Sequence, residues 1–295
     1  MPARGLHDFT LDTRLGRIAG LRSAPGAADA PRVLALHGWL DNAASFVPLA
    51  RHLHGIDLVA PDLPGHGASA HFPEGADYSF AGAVNSVLDI ADALGWDRFH
   101  LLGHSMGAGI SSLVAAACPQ RVERFLAIEA LGALAETPER TVGRMREAIA
   151  STRALQGKSL RVFPDVAVAI RARMSATITG NSIAEPFARL LVERGVVPVE
   201  GGFIWSTDPR LTLPTYIRMT EPQIRALVQG IECPTRVIFA DPAQPYLPDA
   251  LRRERVALLQ QGELIVLDGG HHLHMEQPET VAAAIGDFFT RPAAL

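Results

Sequence analysis

Residues 101–109 read LLGHSMGAG, an apolar run that leads into a serine with a glycine two residues away on either side. The run that begins at residue 98 has the composition of the end of a buried strand. Residues 108–117 (AGISSLVAAA) form a run long enough, with side chains small enough, for a buried helix. Ser105 therefore falls at a tight turn between a strand and a helix, and Gly103 and Gly107 allow the two elements to approach closely.

This turn has the G-x-S-x-G pattern of a nucleophile elbow. Strained backbone angles at Ser105 would push its Oγ atom out of the sheet. The start of the following helix would turn the Met106 N–H toward an oxyanion that forms beside the serine. Ordinary turns with a structural serine also match the pattern, so the rest of the chain must distinguish the two interpretations.

Composition excludes several classes of protein. The 295 residues allow one large α/β domain with an insertion or two modest domains, and an apolar fraction of 48% predicts a sizeable core. A net charge of -4 and scattered arginines argue against nucleic acid or an anionic membrane surface as a partner. Only Cys118 and Cys233 are present, and no signal core or membrane-spanning run is found, which favours a reduced, cytoplasmic setting.

Strand-like and helix-like runs alternate along most of the chain. Buried strands are predicted at residues 32–36, 56–60, 98–102, 125–128, 235–240 and 263–267, after an edge hairpin within residues 7–22. Helices are predicted at residues 79–94, 108–117 and 278–289, with another that begins after Thr220. The alternation predicts an α/β fold with a mostly parallel, doubly wound sheet and helices on both faces, in which ligands collect at the carboxyl ends of the strands.

Residues 132–213 break this alternation, because they contain helical patterns without an intervening buried strand. Pro164 and Asp165 open one helix, and Ser182 and Glu185 have capping-box spacing ahead of another. We expect a helical cap at residues 132–213, inserted into a core formed by residues 1–131 and 214–295. Its apolar stripes would pack on the core, and some of its side chains would line a pocket.

The motifs together resemble the α/β-hydrolase superfamily. HGW at residues 37–39, PDLPGHG at residues 61–67, GHSMG at residues 103–107 and GGHHLHMEQP at residues 269–278 occur in the order usual for that family. The similarity extends over the chain except for most of the cap. HGWLDN, IEALGAL and GGFIWSTDPRL are similar, more narrowly, to a bacterial branch related to the serine-hydrolase-like proteins.

The resemblance implies acyl transfer by a covalent route, in which Ser105 attacks a carbonyl and a histidine takes its proton. His271 follows a strand and a Gly-Gly turn, and similarity to the family pattern G-H-x-x-x-x-E aligns it as that base. His272 and His274 compete for the role. The HHxH cluster also suggests a metal, but no carboxylate or thiolate has matching spacing, so we expect neither a metal nor a cofactor.

The resemblance assigns the two oxyanion-hole donors to the backbone N–H groups of Trp39 and Met106. Gly38 permits close approach to the substrate. We therefore list Gly38, Trp39 and His104 as candidate substrate contacts, although His104, which borders the nucleophile, also fits a purely structural role.

The acid of the triad departs from the family's common pattern, which places an aspartate where this chain has Ala243. Two carboxylates remain: Glu129, at the end of the strand after the elbow helix, and Asp241, immediately after the strand before last. We expect Glu129 to be the acid and keep Asp241 as the alternative. Otherwise Glu129 would pair with an arginine at the cap, and Asp241 would be a turn residue before Pro242.

A serine nucleophile separates the chain from the haloalkane dehalogenases and epoxide hydrolases of this fold, which have an aspartate at that position. Hydrolysis of a small, partly hydrophobic carboxylic ester is the leading prediction, since activated acyl groups require little beyond the triad and oxyanion hole. Hydrolysis of a thioester, an amide or a carbon–carbon bond remains open. A non-catalytic ligand-binding protein of the same fold is the alternative from another class.

Overall fold

An eight-stranded sheet lies at the centre of the computed structural model, which describes residues 5–24, 27, 29–155, 160–176 and 183–291. The strands are β1 (Leu6–Thr13), β2 (Gly16–Ser23), β3 (Arg32–Leu36), β4 (Asp57–Pro61), β5 (Phe99–His104), β6 (Val122–Ile128), β7 (Val196–Val199), β8 (Gly202–Trp205), β9 (Thr235–Asp241) and β10 (Gly262–Asp268). The large sheet has the order β1-β2-β4-β3-β5-β6-β9-β10, and β7 and β8 form a separate hairpin. From β4 to β10 all neighbours are parallel, whereas β1, β2 and β4 pair antiparallel.

Helices cover both faces of this sheet. They are α1 (Val47–Ala50), α2 (Ala83–Ala93), α3 (Met106–Ala117), α4 (Thr141–Leu155), α5 (Val166–Ser175), α6 (Glu185–Gly195), α7 (Glu221–Gln229), α8 (Asp249–Val256), α9 (Leu273–Glu276) and α10 (Pro278–Ile285), with short 3-10 turns at Ala43–Phe46, Pro138–Arg140 and Pro209–Thr212. Apolar side chains of α2, α3 and α7 pack on one face, and those of α1 and α10 pack on the other. The predicted doubly wound α/β fold is thus confirmed.

The central strands are buried on both faces, which explains their continuous apolar sequences. Every residue of β5 is buried, and so is every residue of β3 after Arg32. The predicted N-terminal hairpin is confirmed as well, because β1 and β2 pair in register across the turn before Gly16. Several helix ends differ from prediction: α2 spans only Ala83–Ala93, and α3 begins earlier, at Met106. The last helix, α10, ends at Ile285 before Gly286, whose positive φ of 52° breaks the helix.

Residues 132–213 carry α4, α5 and α6, followed by the β7–β8 hairpin. The hairpin was not predicted, because its two apolar runs, VVPV and GFIW, are only four residues long and no residue of either strand is fully buried. Asp165 caps α5 as expected, with its side chain accepting a hydrogen bond from the Val168 N–H at 2.8 Å. The expected capping box is wrong for α6, which begins at Glu185 with Ala184 as its N-cap, while Ser182 lies outside the described residues. The division into core and cap stays a prediction.

Candidate active site

Ser105 lies at the junction of β5 and α3. Its backbone conformation, with φ 50° and ψ -116°, is one that residues other than glycine rarely adopt. A Cβ atom at Gly103 would overlap the backbone of Ala108, and one at Gly107 would overlap the carbonyl oxygen of Leu36 in β3. The two glycines therefore let the start of α3 sit directly on the ends of β3 and β5. This packing holds the strained turn and leaves Ser105 partly exposed at the sheet edge.

A hydrogen-bonded chain joins Ser105 to two side chains from distant parts of the sequence. The Ser105 Oγ atom lies 2.9 Å from His271 Nε2, and His271 Nδ1 lies 3.0 Å from Glu129 Oε2. His271 is 5% exposed and Glu129 1% exposed. Because an ionised carboxylate only accepts hydrogen bonds, Nδ1 carries the proton and Nε2 presents its lone pair to the hydroxyl.

Glu129 is held in place by the neighbouring strand β9. Its φ of 63° is also in the left-handed region, and its N–H donates to the Ile238 carbonyl at 2.9 Å. Its Oε1 atom accepts a hydrogen bond from the Ala240 N–H at 2.6 Å, and Arg252 Nη2 lies 3.7 Å from the same oxygen. One carboxylate oxygen is thus bound to the sheet, and the other is directed at His271.

Asp241 lies at the end of β9, but its side chain points to solvent. Its carbonyl oxygen accepts a hydrogen bond from the Gly269 N–H at 3.0 Å, ahead of the loop that carries His271. Among the described residues no side-chain hydrogen bond or ion pair involves the Asp241 carboxylate. The geometry therefore brings Glu129, and not Asp241, to the imidazole.

The other histidines near the site make different contacts. His272 Nε2 lies 3.3 Å from Asp41 Oδ2, and His274 Nε2 lies 2.7 Å from Ser45 Oγ. Burial is the main cause that lowers the pKa of His274 to about 3, so its ring is neutral at neutral pH. Within the part of the chain that the structure describes, no group of three or more His, Cys, Asp or Glu side chains is arranged to hold a metal ion.

His104 is not a substrate contact in this structure, contrary to its place among the candidates. Its side chain is fully buried, and its Nε2 donates a hydrogen bond to the carbonyl of His271 at 2.8 Å. Burial, followed by the neighbouring imidazoles, lowers its pKa well below the usual range. A Cβ at Gly38 would lie 2.9 Å from His104 Nδ1, so Gly38 packs against this ring and does not line the cavity beside the site.

The two candidate oxyanion donors lie next to each other in the fold. Trp39 follows β3, and Met106 is the first residue of α3, whose start packs on the end of β3. The first N–H groups of a helix have no partner within it, and the backbone N–H groups of Trp39 and Met106 have no acceptor among the described residues. Both residues line the same cavity.

This cavity has a volume of about 930 Å³ and reaches the site through Met106, the residue after Ser105, whereas Ser105 and His271 are not among its lining residues. Its apolar lining includes Trp39, Leu63, Phe72, Phe80, Met106, Ile110, Leu155, Leu211 and Leu213. A polar patch at one side consists of Tyr78, Asp208 and Arg210, where the Tyr78 hydroxyl donates to Asp208 Oδ2 at 2.8 Å. Arg210 also bonds the same carboxylate, so these polar groups already satisfy one another. The lining also includes His66, His71, Glu74 and Asp77, while the larger part of its surface is apolar.

Two buried ion pairs join α5 and α6 to the strand ends, and sequence reasoning missed them. Arg173 Nη2 lies 2.6 Å from Asp41 Oδ1, and Arg194 binds Asp62 through Nε at 3.0 Å and Nη2 at 2.9 Å. The aspartates follow strands within recognised motifs, but no spacing in the sequence connects them to arginines more than a hundred residues away. The only available signal was their position at the carboxyl ends of β3 and β4.

The chain is similar to several known proteins. The model of the alpha/beta hydrolase fold family matches residues 31–161. A serine hydrolase-like protein from Danio rerio is 28% identical over 292 residues, which cover 97% of this chain and 89% of the relative. The crystal structure of a hypothetical protein from Pseudomonas aeruginosa PAO1 is 38% identical, with a TM-score of 0.86, and the match covers 97% of this chain and 100% of that chain. A thioesterase domain from the curacin biosynthetic pathway is 25% identical, with a TM-score of 0.76, covering 95% and 98% of the two chains.

The chain belongs to the α/β-hydrolase superfamily, as the order of its motifs predicted. Its serine hydrolase-like relatives support its identification as a hydrolase. Over the described ranges, no helix has the length and apolar character needed to cross a membrane.

Proposed function

We propose that this hydrolase cleaves a small, partly hydrophobic carboxylic ester through an acyl-enzyme intermediate. Ser105 is the nucleophile, His271 the general base and Glu129 the acid of the triad. The observation that carries the proposal is the unbroken hydrogen-bonded chain from Ser105 Oγ through the His271 ring to Glu129, with distances of 2.9 and 3.0 Å. The three groups have the geometry that activates a serine.

In the first half of the reaction, Ser105 Oγ bonds to the ester carbonyl carbon while its proton moves to His271 Nε2. The carbonyl electron pair moves onto oxygen, and the N–H groups of Trp39 and Met106 stabilise the oxyanion. When the intermediate collapses, the bond to the alcohol oxygen breaks and His271 returns its proton to the leaving alcohol. Water then repeats the sequence on the acyl-enzyme and releases the acid.

Glu129 stabilises the imidazolium that forms at each step and keeps the His271 proton on Nδ1. Glu129 is only 1% exposed, and its negative charge is stabilised by the hydrogen bond from the Ala240 N–H and by the nearby Arg252. A protonated, neutral Glu129 would stabilise the His271 imidazolium less than the charged carboxylate does. The charged carboxylate is therefore the form that this mechanism requires.

The cavity supports the assignment of the substrate class. Its apolar walls beside Met106 accommodate a hydrocarbon part, and about 930 Å³ is within the range of small-molecule sites. We infer short to medium acyl chains and a small-molecule partner. The free cysteines Cys118 and Cys233 support a reducing compartment such as the cytoplasm.

Two measurements test the proposal. A fluorophosphonate probe should label the wild-type protein but not Ser105→Ala. It should also label the Ser175→Ala control, since within the described residues the Ser175 hydroxyl donates to the Arg171 carbonyl on α5 and makes no contact with the site. A series of p-nitrophenyl esters of increasing acyl length should then give turnover that falls for the longest chains. A folded protein without labelling would instead favour a non-catalytic ligand-binding role.

A thioester is the second candidate substrate, and the similarity to a thioesterase domain is the observation that favours it. The same triad serves both reactions, because only the leaving atom changes from oxygen to sulfur. Turnover of acyl thioesters without turnover of any ester would replace the ester assignment and leave the site residues unchanged.

A further inference from the structure

A buried arginine lies beside Glu129, on the side of the carboxylate that does not face His271. Arg252 Nη2 is 3.7 Å from Glu129 Oε1, and the two side chains are 2% and 0% exposed. This Nη2 atom has no hydrogen-bond acceptor among the described residues. The Glu129 carboxylate is therefore the negative group that lies next to Arg252 Nη2.

The rest of the guanidinium is tied to β9 and the loop after it. Its Nη1 donates to the Ala240 carbonyl at 2.6 Å, and its Nε donates to the Leu247 carbonyl at 2.8 Å. Its carbon atom lies 4.4 Å from the centre of the Phe239 ring. This is the loop in which the family pattern expects an aspartate and this chain has Ala243. Here the loop holds a cation in position, and the carboxylate comes from β6.

A buried carboxylate without a nearby positive charge tends to take up a proton, because burial disfavours its charged form. Opposite charges less than 4 Å apart and away from water interact strongly enough to prevent this. Ala240 contributes at both points, since its N–H binds Glu129 Oε1 and its carbonyl binds Arg252. Glu129, the Ala240 backbone and Arg252 are thus connected to one another.

We propose that Arg252 is a positioning residue: it keeps Glu129 ionised with Oε1 against β9, so that Oε2 is presented to His271. The inference rests on the proposed function, since it assigns Arg252 a role through the triad acid.

The proposal predicts the direction of a pH effect. Removing the positive charge of Arg252 makes the coupled Glu129–His271 pair bind a proton more tightly, whichever of the two carries it. The protonated pair is inactive, so the acid limb of kcat/KM moves to higher pH. The other titratable groups around the pair keep their side chains in the variants: the rings of His104 and His272 lie 4.9 and 5.4 Å from His271. Burial, followed by the charge of Glu129, raises the pKa of Tyr246 to about 12, and Arg252 acts in the opposite direction. Loss of Arg252 would therefore raise that pKa further, and Tyr246 stays neutral over the acid limb.

The test compares R252Q and R252K with R255Q. Arg255 is a matched control on the same helix: it is also 2% exposed, but it binds the Leu131 and Ala133 carbonyls and Glu221, with no contact to Glu129. For R252Q we expect the midpoint of the acid limb to rise by about one pH unit. We expect kcat near pH 6 to fall by about tenfold or more with KM little changed. In R252K the midpoint of the acid limb should lie close to the wild-type value. R255Q should lower Tm and leave the midpoint of the acid limb unchanged.

The same midpoint is measured without substrate by following the ring nitrogens of His271 in ¹⁵N-histidine NMR. If the protein turns over no ester, the ring titration still tests Arg252, so failure of the proposed function and failure of this inference are distinct. R252M, with an apolar chain of similar length, replaces R252Q if the latter does not fold. An unshifted midpoint in R252Q or R252M, with a loss of Tm like that of R255Q, would overturn the inference.

Discussion

The ends of β6 and β9 lie side by side at the same edge of the sheet, and each provides a carboxylate. Glu129 after β6 is buried and bonded to His271, whereas Asp241 at the end of β9 points to solvent. The two strands are hydrogen-bonded neighbours, with Ile128 opposite Ile238. Position at a strand end therefore does not select the partner of the histidine. The direction and the length of the side chain select it, with the backbone of β9 holding the longer carboxylate.

The ends of β3 and β4 extend this comparison. They provide two more carboxylates, Asp41 and Asp62, both nearly free of solvent exposure. These aspartates pair with Arg173 of α5 and Arg194 of α6. An arginine keeps its proton throughout the accessible pH range, so these pairs hold elements together, whereas a histidine partner can pass a proton on.

The largest expected effect is at His271, the imidazole that Glu129 binds at the end of β6. His271→Ala should reduce kcat by about 10⁶-fold, as in other triads that lose their base. His272→Ala and His274→Ala should remain far more active, because their rings contact Asp41 and Ser45 and not Ser105. The check is kcat for each variant, after circular dichroism has shown that it is folded.

The same series includes the pH profile. In the wild-type enzyme, kcat/KM should rise with pH along an acid limb, because the general base must be neutral to accept the Ser105 proton. If His271→Ala kept that limb and His272→Ala lost it, the base would be His272 and the assignment to His271 would be wrong.

The next effect compares the two carboxylates directly. Glu129→Gln keeps the side-chain length but removes the charge, and we expect a loss of about 10⁴-fold in kcat. Asp241→Asn should stay within about tenfold of wild type, because its carboxylate is exposed and makes no contact with His271. Steady-state kinetics on one activated ester measure both. The opposite ranking would move the acid to the end of β9.

A smaller effect, on stability, is expected at the end of β4. Arg194→Met leaves the Asp62 carboxylate, which is 0% exposed, without its bidentate partner. Breaking a buried ion pair on one side costs about 3 to 5 kcal/mol of unfolding free energy. Arg189→Met on the same helix removes only exposed pairs, so its effect should stay below about 1 kcal/mol. Urea titrations of both variants measure the difference, and equal midpoints would show that Asp62 does not need its arginine.

The smallest effect concerns acid stability at the end of β3. Burial alone would raise the pKa of Asp41, but His272 and Arg173 outweigh it and keep that pKa well below the usual range. A depressed carboxyl pKa stabilises the fold above the unfolded value of about 4, and this contribution is lost as the pH falls below it.

We therefore expect wild type to lose about 2 to 4 °C more of its Tm than Asp41→Asn between neutral pH and pH 3, roughly 1 kcal/mol. Asp241→Asn is the exposed control and should follow wild type. Parallel curves for wild type and Asp41→Asn would show that Asp41 is not charged in the fold.

Much of the fold follows from local signals in the sequence. Continuous apolar runs identified β3, β5 and β6, because strands buried on both faces have no polar side to alternate with. The glycines around Ser105 indicated a strand-to-helix turn, since only glycine permits the contacts that the structure has at Gly103 and Gly107. The β7–β8 hairpin was missed, because its apolar runs are only four residues long and neither strand is buried on both faces.

The choice among the side chains of the site is not local, and only the tertiary structure decided it. His271, His272 and His274 are nearly adjacent in the sequence, yet their rings bond to Ser105, Asp41 and Ser45 respectively. Glu129 was preferred to Asp241 on the strength of a family resemblance, and it is the packing of β6 against β9 that turns one carboxylate inward and leaves the other in solvent. Arg252, Arg173 and Arg194 had no sequence signal, because a buried charge finds its partner across chain separations that carry no periodicity. Sequence patterns record local geometry, and pairing between distant charges depends on where the completed fold puts them.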